Sequence, residues 1–115
     1  MLTLFHNPRC SKSREALTLL EQQSIPFQVV DYIKQPLSET QLSHLLKALG
    51  MNARQLLRTK ESAYTELNLA NTALTEAELI AAMISQPSLM ERPILLRGDN
   101  AAIGRPLANL QALLQ

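Results

Sequence analysis

Two short apolar stretches with a helix-patterned stretch between them constrain the fold of this chain more than any other feature. "LTLFH" at 2–6 reads as a strand. Asn7-Pro8 ends it, because proline has no N–H and biases the residue before it toward extended backbone. From Ser11 the pattern turns helical, with Ala16, Leu17, Leu19 and Leu20 at helical spacing, until "SIP" at 24–26 stops it. "FQVVDYI" at 27–33 is β-branched and aromatic, a second strand. Strand, helix and strand in so short a span make a βαβ unit, which implies a parallel strand pair and a right-handed crossover.

Residues 36–91 carry a different pattern. Ser38 with Gln41 makes a capping box, Leu42, Leu45, Leu46 and Leu49 mark one helical face, and Gly50 supplies a C-cap. On that helix His44 falls on the opposite, solvated side. Asn52 with Gln55 starts a short helix, "KESAYTELNL" predicts another, and Thr75 with Glu78 caps "EAELIAAMIS", which Pro87 stops. This is a helical insert, since a structureless connection of that length is implausible in a compact domain. "PILLRGDNAAIG" at 93–104 reads as a hairpin turning at Gly98-Asp99-Asn100, and Leu107, Leu110, Leu113 and Leu114 mark a closing helix. The expectation is one α/β domain over 1–115, β-α-β, helical insert at about 36–91, then β-β-α, with a small mixed four-stranded sheet.

Charge narrows the function. The net charge is +1 and the arginines are scattered, so no concentrated basic face is offered to a nucleic-acid backbone. Four aromatic residues provide no base-stacking platform. A few converging arginines suit a small anion better. No apolar run approaches the ~18 residues of a membrane span, and "MLTLFHNPRC" lacks the basic and long apolar regions of a signal peptide. One cysteine cannot close an internal disulfide, so a cytoplasmic, reducing setting is expected. No His, Cys, Asp and Glu set has metal-ligand spacing, and no bound cofactor is expected.

That cysteine, Cys10, falls where the first strand hands over to the first helix. A lone cytosolic cysteine is often an inert, buried thiol. Here polar "HNPR" and "SKSR" flank it, and unpaired peptide N–H groups at a helix start favour a thiolate. The same place is a natural anion site. A C-x-x-C dithiol would need a second cysteine at Ser13, so an oxidised or substrate-bound Cys10 must be resolved by an external thiol. A C-x5-R phosphatase loop would need arginine at Ala16.

"HNPRCSKSR" resembles the active-site segment of the glutaredoxin-coupled arsenate reductase (ArsC) family. "ARQLLR" ending at Arg58, "ERPI" holding Arg92 and "IGRP" holding Arg105 follow in the family's order. The resemblance implies a thioredoxin-like fold and a Cys10 nucleophile, with Arg58, Arg92 and Arg105 around the thiolate and the oxyanion. It implies a cis bond before Pro93 and supporting places for His6, Asn7, Ser13 and Arg14. It further implies arsenate or another small oxyanion as substrate, glutathione as co-substrate and glutaredoxin as partner.

The departures are at Arg9, Ser11 and Lys12, where plasmid-type members carry alanine, glycine and threonine. In this the chain resembles a chromosomal subgroup of the family. Taken without the resemblance, Arg58 is a residue opposing a helix C-terminal dipole, Arg92 and Arg105 are arginines in extended backbone before proline, and His6 is a hydrogen-bonding neighbour. Two other functions remain open: a monothiol oxidoreductase acting on glutathione mixed disulfides, and an Spx-like protein-binding regulator. The second would need glutathionylation in place of a cysteine-pair switch.

Overall fold

The computed structural model describes residues 2–114. The chain divides into two compact units. One holds the segment up to Gln35 together with the segment from Arg92 onward; the other is Pro36–Glu91.

The first unit is built on one four-stranded sheet in the order β2-β1-β3-β4. Its strands are β1 (Leu2–His6), β2 (Phe27–Asp31), β3 (Ile94–Arg97) and β4 (Asn100–Ile103). β1 and β2 run parallel, with Leu2 opposite Phe27 and His6 opposite Asp31. β3 lies antiparallel to β1, and β4 antiparallel to β3, so the sheet is mixed as expected. Side chains alternate across a strand. Leu2, Leu4 and Leu95 therefore share one face, where they join Ala16 and Leu20 of α1 (Ser11–Glu21) and Leu110 of the C-terminal helix, Ala108–Leu114, in a single buried cluster. The helical spacing of Ala16 and Leu20 is the cause: the two lie one above the other on the buried side of α1.

Two boundaries differ from the sequence expectation, each for a local reason. β2 stops at Asp31, not at residue 33. Asp31 Oδ1 accepts the N–H groups of Ile33 and Lys34 at 3.1 and 3.2 Å, which turns the chain out of the sheet. The hairpin loop is Gly98-Asp99 alone, because Asn100 already pairs with Arg97. Gly98 has φ +63, a value that suits glycine at the first position of a two-residue loop.

The second unit is helical. It contains α2 (Glu39–Leu49), α3 (Ala53–Leu56), α4 (Ser62–Glu66) and α5 (Glu76–Ser85), then a 3-10 turn at Pro87–Leu89; the C-terminal helix of the first unit is α6. All three N-caps read from the sequence are present as capping boxes: Ser38–Gln41, Asn52–Gln55 and Thr75–Glu78. Gly50 ends α2 in the left-handed region at φ 68, and His44 is exposed. α4 is shorter than "KESAYTELNL" predicts. Asn68 at φ 54 takes the left-handed conformation, and Leu69 N–H bonds back to the Tyr64 carbonyl at 2.9 Å, a helix-closing pattern. Arg54 ties this end down by donating to the carbonyls of Leu69 and Asn71 at 2.9 and 3.0 Å. No helix among the described residues is long and apolar enough to cross a membrane.

Candidate active site

Cys10 is the N-cap residue of α1, extended at φ −98 and ψ 124. Its N–H donates to the Asn7 carbonyl at 3.0 Å, and its carbonyl accepts the Arg14 N–H at 3.0 Å. A tight turn, Asn7 to Cys10, therefore delivers the sulfur to the head of the helix. The thiol makes no side-chain cap of its own. Cys10 is buried, 7% exposed.

The turn is held from inside. Ser13 is wholly buried, and its Oγ accepts the Asn7 N–H at 2.9 Å and lies 2.6 Å from His6 Nδ1. A buried serine hydroxyl needs an acceptor, and His6 Nδ1 is in reach. We therefore assign Ser13 O–H as the donor and His6 as the neutral tautomer protonated on Nε2. Burial pushes His6 below its usual 6.5, with Arg14 acting the same way; Asp31 and the Ser13 backbone oppose them. Asn7 Oδ1 accepts the Arg9 N–H at 3.0 Å and closes the turn on its other side. Position 13, where a dithiol enzyme would carry its second cysteine, is thus a hydrogen-bonding hub.

The arginines differ in state. Arg105 Nη2 lies 3.7 Å from Cys10 Sγ, while its Nε donates to the Arg92 carbonyl at 2.9 Å. The guanidinium is oriented by backbone and aimed at sulfur. Arg92 is half-buried, and its Nε and Nη1 are buried with no hydrogen-bond partner among the described residues. Arg58 lies in the helical unit, where Nη1 meets Glu61 Oε2 at 2.9 Å and Nε meets Glu91 Oε1 at 3.9 Å. Its own N–H donates to the Leu89 carbonyl at 2.7 Å. Arg14 is turned away to the Pro8 carbonyl at 2.9 Å, and Lys12 faces Glu15 at 3.5 Å.

The bonds before Pro93 and Pro106 are both cis; the first was expected from the resemblance, the second was not. Gly104 explains why "IGRP" needs its glycine. Its N–H donates to the Pro93 carbonyl at 2.8 Å, and a Cβ there would stand 2.8 Å from Pro93 Cγ and 3.0 Å from Leu110 Cδ1. A proline ring has no flexible end that could move aside. Nothing in the sequence pattern alone announced this contact, although the glycine beside Arg105 was visible. Among the described residues, no group of three or more His, Cys, Asp or Glu could hold a metal ion.

The arrangement suits a sulfur nucleophile acting on a small anion. A guanidinium reaches the sulfur at the head of a helix, and His6 buttresses the turn from inside through Ser13. The chain is similar to known proteins along nearly its whole length. An arsenate reductase of Neisseria meningitidis is 45% identical over 98% of this chain and 97% of its own length. An uncharacterised protein of Escherichia coli K12, YfgD, is 53% identical over 90% of this chain and 87% of its own length. The solved structure of an arsenate reductase from Vibrio cholerae superposes with a TM-score of 0.90 at 44% identity, covering 96% of this chain and 95% of that one, and so the fold is the thioredoxin-like one. Residues 5–113 match the ArsC family, a span that takes in the Cys10 turn, the Arg58 segment and both Arg-Pro pairs; the chain belongs to the ArsC family.

Proposed function

We propose that this chain is an arsenate reductase-like oxidoreductase that works through Cys10. The observation carrying the reading is the Arg105 Nη2–Cys10 Sγ contact of 3.7 Å at the head of α1, in a chain 45% identical to a protein named an arsenate reductase. The Cys10 thiolate attacks As(V) and an arsenate oxygen leaves as water. Arg105 holds the anion and the charge that develops on its oxygens, and Arg92 supplies further donors. Arg58 enters as the third guanidinium on the family pattern alone. Glutathione then attacks the cysteine-bound arsenic, and a glutaredoxin completes the reduction. Arsenic falls from +5 to +3, two external thiols supply the two electrons and leave as a disulfide, and arsenite is released. Neutral His6 is no general base in this scheme; with Ser13 it keeps the Asn7–Cys10 turn in shape. The need for a reduced thiol pool puts the proposed reaction in the cytoplasm.

The test is turnover. Arsenate, glutathione and glutaredoxin should give arsenite with wild type and none with Cys10→Ser. Omission of glutathione should stop the reaction after at most one arsenate per chain. If wild type forms no arsenite but Cys10 still exchanges with glutathione disulfide, the reading fails. The chain is then a monothiol oxidoreductase without arsenic chemistry.

A further inference from the structure

A recess of about 390 Å³ opens between the segments that follow β1 and β2. Asn7, Pro8 and Arg9 line one side, and Asp31, Ile33 and Lys34 the other. Its position follows from register. His6 pairs with Asp31 in parallel strands, so both segments leave the sheet at the same end, side by side. The crevice outside the carboxyl ends of parallel strands is where open α/β sheets receive ligands. The volume is in the range of small-molecule pockets.

Both walls are pinned by hydrogen bonds from side chain to backbone. Asn7 Oδ1 holds the Arg9 N–H, and Asp31 Oδ1 holds the N–H groups of Ile33 and Lys34. The lining carries two cations and one carboxylate, and that carboxylate is already engaged by two N–H groups. The recess therefore favours an anion. Three residues of the Asn7–Cys10 turn line the recess, and Cys10 is the next residue along the chain.

We propose that this recess seats the carboxylate end of the acidic peptide thiol, of the glutathione class, that resolves the Cys10 adduct. Arg9 and Lys34 are its specificity-determining residues. The inference rests on the thiol-dependent reading of Cys10 above. It gives Arg9 a role that the shared family segment does not, because Arg9 is one of the positions where this chain departs from plasmid-type members. A peptide thiol lying across the turn presents its sulfur at Cys10 while its carboxylate meets the two cations.

The test is the rate at which Cys10 exchanges with a disulfide, followed by intact mass. The thiolate displaces one glutathione thiolate from oxidised glutathione and keeps the other half as a mixed disulfide. Bis(2-hydroxyethyl) disulfide, which has no carboxylate, is the comparison. Arg9→Ser and Lys34→Ser should each slow reaction with oxidised glutathione about two- to fivefold relative to the neutral disulfide, the size of an exposed ion pair. High salt should erase the difference. Lys12→Ser removes a nearby cation outside the recess and should leave the ratio unchanged.

Equal slowing of both disulfides by Arg9→Ser and Lys34→Ser overturns the proposal, because the cations would then act on the sulfur alone. An equal effect from Lys12→Ser also overturns it, since general charge would suffice. Arsenate turnover is measured separately on the same preparations. Selectivity without turnover keeps the seat and removes the arsenic reading; turnover without selectivity does the reverse.

Discussion

The head of α1 and the surroundings of Arg58 are both places where a guanidinium sits near anionic or anion-forming groups, yet they are built in opposite ways. At the head of α1, Arg105 is oriented through the backbone carbonyl of Arg92, whose own side chain keeps two buried nitrogens without partners among the described residues. Around Arg58, Glu61 and Glu91 answer the charge directly, and the side chain is 16% exposed. The first arrangement is poor for stability and good for receiving an anion; the second is the reverse. Three arginines that look equivalent in the sequence thus differ in the property that decides function, namely whether their donors are already satisfied.

The largest expected effect removes the nucleophile. Cys10→Ser should lower arsenate turnover by more than about a thousandfold, because a serine hydroxyl at neutral pH is a far weaker nucleophile than a thiolate. Thermal unfolding should hardly move. Retained turnover in that variant would end the Cys10 mechanism and the comparison with it.

Arg92→Met sharpens the contrast. Losing a charge-assisted contact to the substrate should cut kcat/KM about tenfold to a hundredfold, equivalent to about 1.5–3 kcal/mol. Stability should rise by about 1 kcal/mol, because methionine removes buried, unsatisfied donors and keeps an apolar stem. Arg58→Met should lose about 1 kcal/mol, since Glu61 and Glu91 are left without their cation. Denaturant melts of the pair check this. If both variants move stability the same way, the arginines are not in different states.

Gly104→Ala tests the scaffold beneath the reactive end. The added Cβ meets Pro93 and Leu110, and overpacking of this kind costs about 1–3 kcal/mol. Because Gly104 also donates to the Pro93 carbonyl, the strain falls between Arg92 and Arg105, and turnover should drop with stability.

Much of this was legible from local pattern. The capping boxes, the element order β-α-β and β-β-α, and the place of Cys10 at a helix start all depend on residues within a few positions of one another. What was not legible depends on partners far away in sequence. Arg105 reaches Cys10 across most of the chain, a contact that only the family resemblance implied, and Gly104 is fixed by a proline and a leucine on other elements. The recess of Arg9 and Lys34 exists because of strand register, which no motif encodes. Ser13 is the intermediate case. The absence of a second cysteine was plain, but the hydrogen bonds of Ser13 to His6 and Asn7 arise only when the turn closes over α1.

The smallest expected effect concerns pH. Burial lowers the His6 pKa, so the folded protein binds a proton there less readily than the unfolded chain, whose histidine titrates near 6.5. Above 6.5 both states leave His6 neutral, and its full contribution to stability is present. As pH falls below 6.5 the unfolded chain takes up the proton first, and this contribution is lost progressively until the pH has passed the folded value. The slope is at most about 1.4 kcal/mol per pH unit, one proton's worth. In His6→Gln that part of the slope should vanish, because glutamine can still accept from Ser13 but does not titrate. Denaturant melts of both proteins at steps of pH from 7.5 down to 5 measure the difference. A wild-type slope matching that of His6→Gln would mean that His6 is protonated as easily inside the protein as outside. The neutral imidazole behind the Cys10 turn would then be wrong, and the Ser13 hydroxyl would need another acceptor.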